Sequence, residues 1–146
     1  MKNRYLFFSF LSILFYSSTF AQCKNFVKKK CLPSLAPYVT NGQISTANFA
    51  PGDHAEIPIS FFENTDYRII VCGQEVLGKI TYKLLDANKN VVFDNSKFDY
   101  TNTWDFSSSS NQSLTLVVEV PSDKADNHSQ LMHTGCVSVI IGFKKS

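Results

Sequence analysis

Apolar and polar residues alternate through much of this chain. Leu114, Leu116, Val118 and Val120 share one parity, with Ser113, Thr115 and Glu119 between them. Val137, Val139, Ile141 and Phe143 form a second such set, opposite Ser138 and Gly142. Tyr67, Ile69 and Val71 form a third, and Ile80, Tyr82 and Leu84 a fourth. A period of two with one apolar face predicts antiparallel strands packed on a core, and these four sets are the expected core.

The runs are short and bounded by turn residues. Strands are expected at 55–62 after "PGD", 66–72 before Gly73, 78–85 before "DANKN", 91–95, 113–120 before Pro121, and 136–143. Closely spaced strands with turn signals between them predict an all-β fold, an antiparallel β-sandwich of jelly-roll type. Two stretches stand apart. Residues 24–31 predict a short N-terminal helix that stops before Pro33, because proline disfavours helical geometry in the residue ahead of it. Residues 121–135 read as a long polar connection.

The first 21 residues change the picture of where the fold begins. Lys2 and Arg4 precede an apolar stretch from Tyr5 to Tyr16, and Thr19-Phe20-Ala21 places small residues at the cleavage-critical positions. That is the pattern of a secretory signal peptide. The stretch is shorter than the about 20 residues of a bilayer span, and no later run is longer. The expected organisation is a signal peptide at 1–21, a disulfide-stapled cap at 22–37 and a β-sandwich at 38–146. The destination is outside the cytoplasm: periplasm, cell surface or medium.

Of the 146 residues, 14 are Lys or Arg and 12 are Asp or Glu. Removing Lys2 and Arg4 leaves twelve of each sign, so the mature chain carries no net charge. That argues against nucleic-acid binding, which needs a basic face. It gives no general attraction to anionic membranes either.

Cys23, Cys31, Cys72 and Cys136 all follow the cleavage point. An even count in an exported chain predicts two disulfides. Four cysteines allow three pairings. Cys72 ends one expected strand and Cys136 begins another, so antiparallel neighbours would bring them together, leaving Cys23 for Cys31. The second bond sets a condition. Eight residues of helix rise about 12 Å, beyond the about 4.4–6.8 Å of a disulfide, so Cys23 would have to fold back. A zinc or redox role does not fit this spacing, which is not Cys-x-x-Cys. A lipid anchor needs a small residue before the modified cysteine, and Gln22 stands there.

Four clusters could carry chemistry. Asp86, Asn88 and Asn90 place oxygens at alternate positions as a calcium loop does, but Val91 stands where that loop needs glycine and Lys97 where it needs glutamate. A hairpin turn accounts for them. His128, His133 and Cys136 could bind a soft ion; the disulfide is the better use of Cys136, the two histidines read as solvated loop residues, and His54 stands alone. Lys28, Lys29 and Lys30 read as the wet side of the helix. In "FDYTNTWDF", Phe98, Tyr100, Trp104 and Phe106 share parity. Burial is expected for Phe98 and Phe106. Tyr100 and Trp104, beside a turn at Asn102, are the candidate ligand contacts.

Motifs for a serine nucleophile elbow, a zinc protease helix or a phosphate loop do not occur. The chain is therefore read as a non-catalytic binding module without a cofactor, whose partner is an envelope protein, a peptide or a glycan. The alternatives are a structural subunit of a surface assembly, built on edge-strand pairing, and a small hydrolase with an unrecognised site.

The stretch "NGQISTANFAPGDHAEIPISFFENTDYRIIVCG", then "KITYKLLDANKNVVFDN" and "SLTLVVEV", resembles bacterial pre-peptidase C-terminal domains and Golgi-dynamics (GOLD) domains over about residues 41–143. That resemblance implies a β-sandwich with an accessory or binding role. The start "CKNFVKKKC" and the two disulfides depart from it.

Overall fold

The computed structural model describes residues 19–122 and 133–145. The leader up to residue 18, His128 and most of the polar connection at 121–135 lie outside the described residues. No helix among the described residues is long and apolar enough to cross a membrane.

Eight strands pair in a nested order. β1 (Val39–Phe49) pairs with β8 (Gly135–Lys145), and β2 (His54–Phe61) with β7 (Gln112–Glu119). β3 (Thr65–Gly73) pairs with β6 (Thr103–Ser108), and β4 (Thr81–Leu85) with β5 (Val91–Asp94). Folding that ribbon over gives two four-stranded antiparallel sheets, β1-β8-β3-β6 and β2-β7-β4-β5. This is the jelly-roll arrangement of an all-β sandwich. Each of the six expected runs falls on a strand. β4 starts only at Thr81, because residues 75–77 form a 3-10 turn and Gly78 takes φ +70°.

The alternating sets meet between the sheets. Tyr67, Ile69 and Val71 from β3 and Val137, Val139 and Ile141 from β8 face Tyr82 and Leu84 from β4 and Leu114, Leu116 and Val118 from β7. Ile80 and Phe143 pack partly buried against this core. Full burial of such a side chain is worth about 1.5–3 kcal/mol.

β3 and β8 are apolar at both parities for a second reason. Their outward residues Ile70, Cys72 and Ile140 are buried under the N-terminal segment. That segment is helical from Thr19 to Phe26 (α1), widens to a π-turn at Val27–Cys31 and tightens to a 3-10 turn at Leu32–Leu35. The expected helix is therefore present, but it starts earlier and continues through Pro33, which sits in the first turn of the 3-10 segment, where its missing N–H costs nothing. Cys23, Val27, Cys31 and Leu35 recur every four residues and are buried, while Lys28, Lys29 and Lys30 are exposed. Gly142 permits the close approach: a Cβ there would lie 2.4 Å from Leu35 Cδ1.

This geometry corrects the expected pairing. The disulfides are Cys23–Cys136 and Cys31–Cys72, with Cα separations of 5.6 and 5.8 Å. β3 and β8 are indeed neighbours, but Cys72 faces Ser138, and the Cys136 carbonyl accepts from the Gln74 N–H. Cys72 and Cys136 are thus diagonal by two residues. Such neighbours lie about 7–8 Å apart, outside disulfide reach. Cys23 does not fold back, because the helical path is continuous; both helix cysteines instead point down into the sheet.

Candidate functional site

The two sides of the sandwich are closed differently. Between the edge strands β5 and β6 an aromatic column spans the gap. Phe98 stacks on Phe93 at 5.3 Å between centroids, Phe93 on Trp104 at 4.6 Å, and Trp104 on Phe106 at 4.5 Å. Phe106 also meets Phe61 edge-on at 4.9 Å. Offset and edge-on ring pairs of this kind add about 0.5–1.5 kcal/mol each beyond the area they bury.

The loop over residues 95–102 hangs from this column. Asp94 opens it, its Oδ1 accepting from the Ser96 N–H at 3.0 Å and the Ser96 hydroxyl at 2.6 Å. The Ser96 hydroxyl bond, with the backbone bond and the charges of Lys83 and Lys97, holds the Asp94 carboxyl below its usual range. A 3-10 turn runs from Asn95 to Phe98. Asp99 and Tyr100 then take φ +53° and +54°. Two successive left-handed residues without glycine are strained by about 1–3 kcal/mol each, and a bulky tyrosine is a rare occupant.

Asn95 holds the strain in place. It is 1% exposed. Its Oδ1 accepts from the Tyr82 N–H at 2.8 Å, and its Nδ2 donates to the carbonyls of Ile80 and Thr101 at 3.0 and 3.2 Å. Its carbonyl accepts from the Tyr100 N–H at 3.0 Å. At the far end the Asn102 carbonyl accepts from the Val71 N–H at 2.9 Å.

The product is a fixed loop with aromatics outward. Phe98 is 60% exposed and Tyr100 40% exposed. Lys79 Nζ sits 5.0 Å from the Tyr100 ring centroid, within cation–π range. Beside it lies an open cleft of about 280 Å³, lined by Gly78, Lys79, Ile80, Asp99, Tyr100 and Asn102. Such a surface can receive an apolar or aromatic group on the rings and a carboxylate or carbonyl at Lys79.

Of the two candidate contacts, Tyr100 lies on this exposed loop and Trp104 lies half-buried in the column behind it. Phe106 packs on the core, as expected. Phe98 does not bury, which corrects the parity argument: the turn at Asp99 and Tyr100 breaks the strand that the argument assumed. Asn95 and Lys79 were missed. Asp94-Asn95-Ser96 carries a capping signal at Asp94, but nothing local marks Asn95 as buried.

The remaining clusters lie elsewhere. Asp86 Oδ1 accepts from the N–H groups of Asn88 and Asn90, and Oδ2 from Asn90 Nδ2. Asn90 most of all keeps this carboxyl below its usual range. The segment is a hairpin turn whose own donors occupy the carboxylate. His133 and His54 are exposed, and Cys136 is in a disulfide.

No family model matches the chain, and no curated protein matches it. The likeness to pre-peptidase C-terminal and GOLD modules therefore rests on the sequence pattern alone. Among solved structures, Aeromonas hydrophila PliG, a periplasmic lysozyme inhibitor of g-type lysozyme, matches with a TM-score of 0.50. The match covers 69% of this chain and 84% of that one at 8% identity. At that identity the likeness is one of fold.

Proposed function

We propose that this chain is an exported, non-catalytic module that binds a protein through the 95–102 loop. The observation that carries the reading is Tyr100, held in a strained left-handed turn by buried Asn95. Strain of this kind persists only where surrounding structure fixes it, and it concentrates at binding sites. A rigid loop presents aromatic anchors without losing entropy on contact, and tyrosine is enriched at the centres of protein interfaces. The leader pattern and two buried disulfides support an oxidising compartment such as the periplasm. The structural neighbour PliG is a periplasmic inhibitor of g-type lysozyme, which makes that enzyme the first partner to try.

The test uses the mature chain immobilised against g-type lysozyme and against envelope extract, with bound proteins identified by mass spectrometry. Tyr100→Ala and Phe98→Ala are expected to keep the fold and weaken binding of the captured partner at least tenfold. Undiminished binding by the double variant would remove the loop from the interface.

A further inference from the structure

The mature chain is neutral, but the fold does not mix its charges. On the outer face of the sheet β1-β8-β3-β6 the ions pair among themselves, Arg68 with Asp105 at 2.6 Å and Lys144 with Asp66 at 3.8 Å. That face carries two charges of each sign and no excess. On the outer face of the other sheet stand Glu56, Asp94 and Glu119, with Lys83 as the one Lys or Arg. Glu56 and Glu119 are exposed. This second face is acidic.

The N-terminal segment, laid over the first sheet, adds the missing positive charge. Lys24, Lys28, Lys29 and Lys30 are all exposed. Residues 19–38 contain no Asp or Glu, and no salt bridge among the described residues reaches these four lysines. Val27 and Cys31 are both buried against the sheet, so the three lysines between them form the outward turn. Lys24 lies one turn before Lys28 on the same flank. The bonds Cys23–Cys136 and Cys31–Cys72 tie this stretch to β8 and β3 at both ends. The lysines therefore sit on a fixed support, and the molecule has a basic side and an acidic side.

We infer that the face carrying Lys24, Lys28, Lys29 and Lys30 is a docking surface for an anionic phospholipid membrane. Net charge gives no reason to expect this, because it averages over two faces that the fold separates. The side-chain chemistry favours a lipid surface over a protein. Protein interfaces are depleted in lysine and anchored by tryptophan, tyrosine and arginine. Here four compact, hydrated ammonium groups stand without an arginine or an exposed aromatic on the same segment. Such point charges suit a layer of phosphates, which offers no fixed geometry to match. Each lysine at an anionic surface strengthens partitioning about fivefold. The attraction fades within a Debye length, about 8 Å at physiological salt. Packed sheets lie about 10 Å apart, so the acids of the far sheet oppose docking little and favour one orientation. The site is separate from the 95–102 loop, which hangs from the edge strands β5 and β6.

The test uses the mature chain, without the apolar leader, in co-sedimentation with two kinds of vesicle. One holds phosphatidylglycerol and phosphatidylcholine in equal parts, the other phosphatidylcholine alone. At low salt the anionic vesicles are expected to bind the protein at least tenfold more strongly than the neutral ones. The difference is expected to vanish near about 1 M salt, where the Debye length falls to about 3 Å. Lys28→Gln with Lys30→Gln is expected to weaken binding to the anionic vesicles at least tenfold. Lys83→Gln with Lys89→Gln makes the same change in net charge away from this face and is expected to weaken it less than about twofold. Both double variants are expected to keep the parent's melting temperature, and the salt dependence of the parent needs no variant. Absence of binding to the anionic vesicles would overturn the inference, as would equal binding to both kinds or equal loss in the two double variants. Capture of an acidic protein through Lys28 and Lys30, with the vesicles left unbound, would overturn it in favour of a protein contact.

Discussion

Arg68 grips Asp105 through two parallel bonds, Nε to Oδ1 at 2.7 Å and Nη2 to Oδ2 at 2.6 Å. The same guanidinium donates from Nη1 to the carbonyls of Ser34 and Ala36 at 2.9 and 2.8 Å, and lies 4.6 Å over the Tyr38 ring. One side chain on β3 thus ties the edge strand β6 to the N-terminal cap. The planar fork of arginine suits this, and lysine cannot reproduce it.

Arg68→Lys is expected to lower stability by about 1–2 kcal/mol, allowing for solvent screening at the exposed Asp105. Urea denaturation measures the loss. Amide exchange should quicken at residues 35–38 before it does in the core strands. An unchanged midpoint would show that the cap is held without this residue.

The disulfide pattern gives a direct check. Peptide mapping without reduction is expected to yield Cys23–Cys136 and Cys31–Cys72, and a Cys72–Cys136 peptide would contradict the fold described. Sequence separations of 113 and 41 correspond, in the chain-entropy model, to about 5 and about 4 kcal/mol for loss of each bond alone. The paired variant Cys31→Ser with Cys72→Ser is expected to approach the lower figure in urea titrations.

Asn95→Ala would leave the Tyr82 N–H and two carbonyls without their partner in a buried site. The expected cost is about 2–4 kcal/mol. A local effect should accompany it: limited proteolysis is expected to cut near residues 98–101 in the variant and not in the parent. Equal proteolysis of the two would mean that the loop is fixed by other contacts.

Trp104 and Tyr100 should separate cleanly. Trp104→Ala breaks a column of stacked rings and is expected to cost about 2–4 kcal/mol, below the full-burial range because the ring is partly exposed. Tyr100→Ala touches no core ring and is expected to shift stability by less than about 1 kcal/mol. Trp104 is the chain's one tryptophan, so intrinsic fluorescence follows the column directly.

Tyr82 carries a buried hydroxyl without a hydrogen-bond partner among the described residues. Burial raises its pKa above the usual 10.0. An unfolded chain releases this proton near pH 10 while the folded one keeps it, so the contribution is intact below pH 10 and is lost as pH rises above it. Tyr82→Phe is expected to gain about 1 kcal/mol at neutral pH, by removing an unpaired polar group, and to unfold less readily than the parent above pH 10. Melting curves at pH 7 and pH 11 measure both effects.

The four alternating sets placed the core correctly because a buried face imposes its period on each strand separately. Turn residues likewise marked six strands, since Pro, Gly, Asn and Asp act on their immediate neighbours. β1 escaped because it is an open edge. Its inward set Ser45, Ala47 and Phe49 carries one large apolar residue and its outward set Ile44, Thr46 and Asn48 another, so "QISTANF" has no apolar parity to read. Asn95 escaped because two of its three side-chain partners, Ile80 and Tyr82, lie on another segment.

The cysteine pairing shows where the division falls. Cys23, Val27, Cys31 and Leu35 lie on one buried stripe of the N-terminal segment, which the expected fold-back of Cys23 did not anticipate. Which strand residue each cysteine meets depends on the register of β3 against β8, where a slip of two residues separates a bonded pair from a diagonal one. Sequence by itself determined the apolar face of the strands and the turns, because each is set by neighbours within a few residues. Only the tertiary structure decided the disulfides, the strain at Tyr100 and the edge position of β1, because each depends on backbone positions brought together from distant parts of the chain.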